Sequence, residues 1–246
     1  MSLRFFRFCV SVFFALSVSY AVAAVPEVPV GSLPAKRTTD FPWMSVAMWD
    51  RMHAEDVLVA EHDNVDVLFI GDSITAGWDP ALWQQHFAPL KSANFGIGGD
   101  HTGNVLWRLQ HGAIGNIKPK LIILLLGVNN FGHLNETPIQ VAEGVARVVQ
   151  QLRLAWPASK ILLNGVFPFE ESADSPRRQE VKELNRRLAA VADGRRIIFK
   201  DYGGLFLQQD GSISAEVMGD YLHPTKKGYE IWAKAMLPDM QALLQE

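Results

Sequence analysis

The amino-acid sequence predicts an α/β fold in three layers, with helices on both faces of a five-stranded parallel sheet in the flavodoxin-like order 2-1-3-4-5. Two observations carry this prediction. Five short apolar segments alternate with segments of helical period, a pattern that parallel sheets with right-handed crossovers produce. The third apolar segment, residues 121–126, has no polar interruption, which is typical of a strand covered on both faces. The predicted strands are residues 66–70, 92–95, 120–126, 160–166 and 196–200.

Helices are predicted where apolar residues recur on one helical face. One such face is formed by Val141, Val145, Val148, Val149 and Leu152, and another by Val181, Leu184, Leu188 and Val191. A first helix is expected from Trp43 to about Ala60, and a last one from about Thr225. Pro238 is expected to kink or split the last helix, because proline lacks the backbone N–H that the helix needs there.

Residues 1–24 resemble a secretory signal peptide. A short basic start with Arg4 and Arg7 precedes an apolar run over residues 8–22, and Ala21-Val22-Ala23 supplies the small residues of a cleavage site. A retained membrane anchor is the competing interpretation, but the apolar run is short for a bilayer span. The expected product is a periplasmic or secreted protein with a proline-rich tether over residues 25–42 and one domain over residues 43–246.

Composition excludes several classes of function. Cys9 is the only cysteine and lies in the leader, so the mature chain would have neither disulfides nor a catalytic thiol. Loss of the two leader arginines leaves 21 of the 23 basic residues against 26 acidic ones, a net charge of −5. This acidity argues against nucleic acid as a partner and against membrane attachment after cleavage of the leader. No motif indicates an oligomeric state.

Three predicted strands are followed by residues suited to acyl-ester chemistry. Ser73 follows the first strand in GDSIT, Gly99 follows the second in NFGIGGD, and Asn129 follows the third in GVNN. In the predicted strand order, the crevice opens at the carboxyl ends of strands 1 and 3. We therefore expect these residues to meet there, with Ser73 as a nucleophile and with Gly99 and Asn129 as amide donors to an oxyanion.

Each of these residues also has a plain structural interpretation. A serine or aspartate at such a turn commonly caps a helix, and a glycine loop between a strand and a helix is an ordinary turn. Asn129 or Asn130 could equally bond the backbone of the next loop. The glycine loop does not indicate a nucleotide-binding protein, because the fingerprint G-x-G-x-x-G requires glycine where His101 stands.

An acid–base pair is predicted near the end of the chain. Asp220 and His223 are three residues apart, so one helical turn would place both side chains on one side. The carboxylate would then bind one imidazole nitrogen and leave the other free to accept a proton from Ser73. No H-E-x-x-H or similar ligand spacing occurs, so neither a catalytic metal nor any other cofactor is predicted.

Taken together, GDSIT, NFGIGGD, GVNN and DYLH resemble the four blocks of the SGNH (GDSL-type) hydrolase superfamily. The stretch over residues 94–130 is particularly similar to the catalytic subunits of brain-type platelet-activating-factor acetylhydrolase and to their bacterial secreted relatives, some of which are carbohydrate O-acetylesterases. The resemblance covers roughly residues 43–244. It implies that Ser73 is the nucleophile and His223 the general base, and that Asp220 orients the imidazole. The Ser73 N–H, Gly99 N–H and Asn129 side chain would form the oxyanion hole.

Two segments depart from the pattern of that superfamily. Residues 167–171 read FPFEE, where many members carry an arginine after the proline, and His223 continues into Pro224-Thr225 instead of the frequent Leu-Ser. Neither change touches the predicted triad, but the first could alter a wall of the substrate pocket. We therefore expect the mechanism of the superfamily to carry over more securely than its substrates.

The sequence thus predicts a secreted serine esterase that hydrolyses short-chain esters, acetyl esters in particular, without a cofactor. A chain with no insertion long enough for a lid favours a shallow cleft and short acyl groups on bulky polar alcohols such as sugars. The expected partner is a small-molecule or glycan ester. A lysophospholipase or thioesterase is the enzymatic alternative, and a non-catalytic glycan-binding module is the alternative from another class.

Overall fold

The computed structural model describes residues 28–245. The predicted leader, residues 1–24, lies outside the described residues. Five parallel strands form one sheet in the order β2-β1-β3-β4-β5, which confirms the predicted α/β fold, and each begins and ends within two residues of its prediction. The strands are β1 (Val67–Gly71), β2 (Ser92–Gly96), β3 (Leu121–Leu125), β4 (Lys160–Asn164) and β5 (Ile197–Lys200).

Helices flank this sheet in two groups, as the three-layer prediction requires. The helices are α1 (Val46–His62), α2 (Ser73–Ala76), α3 (Pro80–His86), α4 (Thr102–Arg108), α5 (Val128–Leu134), α6 (Pro138–Ala155), α7 (Pro176–Ala189) and α8 (Lys226–Gln245). Helix α6 contacts α4 and α7, whereas α8 contacts α3 and strand β3. Within residues 28–245, no helix is long and apolar enough to cross a membrane.

The core lies where the central strands meet these helices. Every residue of β1 and β3 is buried, whereas β5 is half-buried at the edge of the sheet. The predicted apolar face of α6 is buried along its whole length. Helix α7 begins after Ser175, whose side chain accepts a hydrogen bond from Arg177 N–H, and Pro176 occupies the first helical position.

Of the two outcomes expected at Pro238 in the last helix, a kink or a split, the split does not occur. Helix α8 continues through Pro238 and is not split there. Met236 and Met240, which flank the proline, are both fully buried in the core. Packing on either side of Pro238 therefore holds the two halves of the helix together despite the missing hydrogen-bond donor.

The described part of the predicted tether is not a tether. We call residues 28–44 the N-terminal arm. Gly31 N–H donates to Glu136 Oε1 at 2.7 Å, and Gly31 O accepts from Thr102 Oγ1 at 2.6 Å, so the arm lies against α4 and α6. Arg37 is only 5% exposed. Polar and charged groups hold the arm on the domain, which is why its hydrophobic pattern does not reveal the packing.

Candidate active site

Ser73 is the first residue of α2, directly after strand β1. A Cβ at Gly71 would overlap Thr75 Oγ1 and Leu125 O, so only glycine allows the chain to pass this close to β3. Asp72 Oδ1 accepts from Ile74 N–H at 3.0 Å, which caps the helix as the structural interpretation of this turn expected. At the first helical position, the Ser73 N–H has no partner within α2 and is free for a ligand.

The three residues of the predicted triad form one chain of hydrogen bonds. Ser73 Oγ lies 2.8 Å from His223 Nε2, and His223 Nδ1 lies 2.7 Å from Asp220 Oδ2. An ionised carboxylate only accepts, so Nδ1 carries the proton and Nε2 accepts from the serine hydroxyl. The side chains of His223 and Asp220 are 41% and 59% exposed, so this chain opens to solvent.

The turn that pairs Asp220 with His223 differs from the predicted helical turn. Tyr221 has a positive φ of 60°, and Asp220 Oδ1 accepts from the N–H groups of Leu222 and His223 at 3.1 and 2.7 Å. Partial burial acts to raise the pKa of Asp220, but the hydrogen bonds from the backbone and ring of His223 outweigh it. The pKa lies below its usual value, and the carboxylate stays ionised.

Both predicted oxyanion donors face the same cleft as Ser73. Gly99 has a positive φ of 74°, and a Cβ there would overlap the Trp43 indole and lie 2.9 Å from Arg37 Nη2. Asn129, in the first turn of α5, donates from Nδ2 to Asp100 O at 3.0 Å. An amide nitrogen carries two hydrogens, so the second remains available to a ligand.

The loop after β2 is anchored by the buried carboxylate of Asp100. Trp49 Nε1 donates to Oδ1 at 2.6 Å, and Arg108 Nε donates to Oδ2 at 2.8 Å. Arg37 Nη2 lies 3.5 Å from Oδ1 and donates to Gly98 O at 2.8 Å. These donors compensate for burying the charge and hold the loop in place. The sequence analysis did not identify this network, because its members come from separate parts of the chain.

The predicted residues lie in a cleft of about 610 Å³. Its walls also include side chains that the sequence analysis did not assign to the site, among them Trp43, Phe131, His133, Phe169, Arg177 and Leu222. The DYLH block contains Leu222, and Trp43 begins the predicted first helix. Phe169 lies in the FPFEE segment noted above, and the other three had no motif to distinguish them.

The segment noted at residues 167–171 forms part of a cleft wall. Glu170, which stands two residues after Pro168, lines the cleft and has a positive φ of 67°. Its N–H donates to Tyr221 O at 2.9 Å, which links this segment to the turn that carries His223. Helix α7 contributes a positively charged side chain to the cleft: Arg177 lines it, with its guanidinium 5.7 Å from the centre of the Phe131 ring.

Comparison with known proteins agrees with this geometry. Residues 69–231 match the GDSL-like lipase/acylhydrolase family. The chain belongs to that family. Platelet-activating factor acetylhydrolase IB subunit alpha2 of Rattus norvegicus is 38% identical over 200 residues, which cover 80% of this chain and 86% of the relative. Membership of this GDSL family confirms the predicted superfamily and makes the chain a carboxylic ester hydrolase.

Solved structures of GDSL proteins share the fold. A GDSL-like lipase from Bacteroides thetaiotaomicron aligns with a TM-score of 0.66 and 23% identity, covering 81% of this chain and 98% of that protein. An acetylxylan esterase from Geobacillus stearothermophilus aligns with a TM-score of 0.57 and 21% identity, covering 71% of this chain and 93% of that one. At these identities the likeness establishes the fold alone.

Proposed function

We propose that this chain is a secreted serine esterase that removes short acyl groups, acetyl in particular, from polar alcohols. One observation carries the proposal. Ser73 Oγ lies 2.8 Å from His223 Nε2, which is linked through Nδ1 to Asp220, in a cleft that Gly99 and Asn129 also line. A nucleophile, a base with an orienting carboxylate, and oxyanion donors are the parts that acyl transfer requires.

In the first half of the proposed reaction, Ser73 Oγ attacks the ester carbonyl carbon while His223 Nε2 takes the hydroxyl proton. The imidazolium that forms is stabilised by the ionised carboxylate of Asp220. The tetrahedral intermediate then collapses: the bond to the alcohol oxygen breaks, His223 returns its proton to that oxygen, and the acyl group remains on Ser73.

Oxyanion stabilisation is assigned to three donors from three strand ends. They are the backbone N–H groups of Ser73 and Gly99 and the free Nδ2 hydrogen of Asn129. Each is positioned before substrate binds, so stabilising the developing charge needs little reorganisation. In the second half of the reaction, His223 takes a proton from a water molecule that attacks the acyl carbon. The bond to Ser73 Oγ then breaks, His223 returns the proton to that oxygen, and the acid leaves.

The preference for a short acyl group is supported by the cleft and by the relatives. Val128 and Leu222 are among the apolar residues that line the cleft with Ser73, beside a triad that is open to solvent. The proteins to which this chain is similar include an acetylhydrolase and an acetylxylan esterase. A lysophospholipase or thioesterase would need room for a long acyl chain.

A series of p-nitrophenyl esters in the wild-type enzyme tests the proposal. We expect kcat/KM for the acetate to exceed that for the octanoate by about tenfold or more. A serine-directed organophosphorus reagent should inactivate the enzyme with the label on the peptide that contains Ser73. A preference for octanoate would favour the lipid hydrolase, and a lack of both turnover and labelling would favour the non-catalytic glycan-binding module.

Secretion is the second part of the proposal and depends on residues 1–24. N-terminal sequencing of the protein recovered outside the cytoplasm should show a chain that starts near Ala24 or Val25. A recovered protein that retains Arg4 and Arg7 would contradict cleavage and support a membrane anchor.

A further inference from the structure

An exposed indole stands at the rim of the catalytic cleft. Trp43 belongs to the N-terminal arm and is 56% exposed. The arm turns sharply here, because Phe41 N–H donates to Met44 O at 2.9 Å and Met44 N–H donates to Phe41 O at 3.1 Å. A large aromatic side chain left open to water beside a reactive serine calls for a functional explanation.

The indole lies beside the proposed nucleophile. Trp43 lines the cleft together with Ser73 and Gly99. A Cβ built on Gly98 would lie 3.6 Å from Trp43 Cζ3 and 3.9 Å from Ser73 Cβ, so the six-membered ring of the indole and the serine side chain lie close to the same point above Gly98. An ester whose carbonyl sits at Ser73 therefore brings part of its structure into contact with Trp43.

The indole is held rigidly before any ligand binds. Phe41 stacks on Trp43 with ring centroids 5.0 Å apart and an interplanar angle of 3°. The ring of His133 lies 4.7 Å from that of Phe41, and the buried Arg37 guanidinium lies 5.4 Å from the same ring. Phe41 stacks on one side of the indole and the His133 ring lies 6.4 Å from it, while the exposed fraction of 56% leaves much of the remaining indole surface open to solvent. Such a preordered surface binds a ligand with little loss of conformational entropy.

The surroundings of Trp43 do not favour a cationic ligand. A second depression adjoins the cleft at Gly99 and His133. Among the described residues that line the cleft and this depression, the carboxylates are Glu170 and Asp220. Asp220 pairs with His223, and Glu170 accepts from the Ser175 hydroxyl. A cationic headgroup such as a quaternary ammonium would find a single exposed indole and a cleft that also contains the Arg177 guanidinium, which is a poor match to an aromatic cage.

Two histidines on this side of the cleft add no positive charge at neutral pH. Burial lowers the pKa of His101 to about 4, and burial also lowers the pKa of His133. Beside the apolar indole of Trp43, the side chains of His101 and His133 are therefore uncharged at neutral pH.

Polar groups border the apolar face. The adjoining depression, of about 420 Å³, shares Gly99, Gly132 and His133 with the cleft. Its lining includes the exposed residues Thr38 and Thr39, whose hydroxyl groups can both donate and accept hydrogen bonds. A ligand that presents one flat apolar face and hydroxyl groups at its edge matches this combination.

We propose that Trp43 forms the binding surface for the alcohol part of the ester and that this part is a pyranose ring stacked on the exposed surface of the indole. The inference rests on the proposed esterase function and names its substrate class. Stacking gains dispersion contacts over the apolar ring face while the ring hydroxyls stay solvated or reach the polar border. Trp43 lies outside the stretch that matches the family, residues 69–231, so the N-terminal arm supplies this specificity.

The test compares two acetyl esters in wild-type protein, Trp43→Leu and Trp43→Phe. An acetylated methyl pyranoside carries the ring, and n-propyl acetate does not. In Trp43→Leu, kcat/KM for the pyranoside ester should fall by roughly five- to tenfold more than kcat/KM for the propyl ester. Trp43→Phe keeps a flat ring and should recover part of the difference. Trp107→Leu removes a half-buried indole that lines neither the cleft nor the adjoining depression. This control should leave the ratio of the kcat/KM values for the two esters as in wild type.

Further measurements separate the possible outcomes. An equal loss for both esters in Trp43→Leu would overturn the stacking role while leaving the esterase function in place. A larger loss for acetylthiocholine than for the pyranoside ester would overturn the sugar in favour of a cation. Titration of Ser73→Ala with the deacetylated methyl pyranoside, followed by NMR, reports binding without turnover. Weakening of that binding by Trp43→Leu supports the subsite even if the esterase proposal fails, and unchanged binding contradicts the subsite.

Discussion

Asn129 donates a hydrogen bond from Nδ2 to the main-chain carbonyl of Asp100 across 3.0 Å. This bond ties the loop after β3 to the loop after β2, on either side of β1 and its serine. One amide group therefore fixes the distance between two of the proposed oxyanion donors and retains a second hydrogen for the substrate. The arrangement explains why a polar side chain stands at the end of the most apolar strand.

Asn129→Ala should lower kcat by about 10²–10³-fold, equivalent to about 2.7–4 kcal/mol of oxyanion stabilisation. The reason is that Nδ2 interacts with charge that develops only in the transition state. Steady-state kinetics on p-nitrophenyl acetate measure the effect. A rise in KM with kcat preserved would instead identify Asn129 as a group that binds the ground state.

Arg37 is a positioning residue in our account. Arg37→Leu removes the donor to Gly98 O and should lower the free energy of unfolding by about 1.5–3 kcal/mol. Because the loop after β2, which carries Gly99, loses an anchor, kcat should fall by about ten- to a hundredfold with a smaller change in KM. Urea unfolding and kinetics on p-nitrophenyl acetate measure the two effects.

Lys36 provides the matched control for Arg37, since it is the preceding residue of the arm and forms an exposed pair with Asp50. Lys36→Ala should cost about 0–1 kcal/mol of stability. If Arg37→Leu lost stability but kept the wild-type kcat, the guanidinium would be a structural residue only.

His53 makes stability depend on pH. Burial lowers its pKa from 6.5 to about 4, and the ring bonds His111 O through Nε2 while Nδ1 is buried without a partner among the described residues. A group whose pKa is depressed in the folded state stabilises the protein above its unfolded pKa and loses that contribution as the pH falls. The free energy of unfolding that His53 contributes should therefore decline between about pH 6.5 and pH 4.

His53→Gln keeps an amide donor for His111 O but does not titrate, so urea unfolding at several pH values should show a shallower loss of stability in acid than wild type. His62→Gln, at the exposed end of the same helix, serves as the control and should follow the wild-type curve. Parallel curves for wild type and His53→Gln would refute the role of this histidine.

Much of the fold could be predicted because its determinants are local. The uninterrupted run at residues 121–126 corresponds to the buried strand β3, and the predicted faces of α6 and α7 are the ones that pack inward. Strand order then brings Ser73, Gly99 and Asn129 to one cleft, since consecutive loops at the carboxyl edge of a parallel sheet lie side by side.

The rest depends on contacts between distant residues. Trp43 reaches the cleft, and Arg37 reaches the loop after β2, because Gly31 and Ala35 form hydrogen bonds with Glu136 and helix α4. Such bonds leave no hydrophobic period in the arm. The turn at Asp220 is set by side-chain bonds to the backbone, not by helical propensity.

The role of Ser73 is the central claim, and the turnover of Ser73→Ala tests it most directly. Within residues 28–245, Ser73 Oγ bonds only the partly exposed His223 ring, so the variant should fold with nearly the wild-type melting temperature. We predict that its kcat on p-nitrophenyl acetate falls to the background rate of the uncatalysed reaction. A folded Ser73→Ala protein that retains near wild-type kcat would contradict the nucleophile assignment and the mechanism built on it.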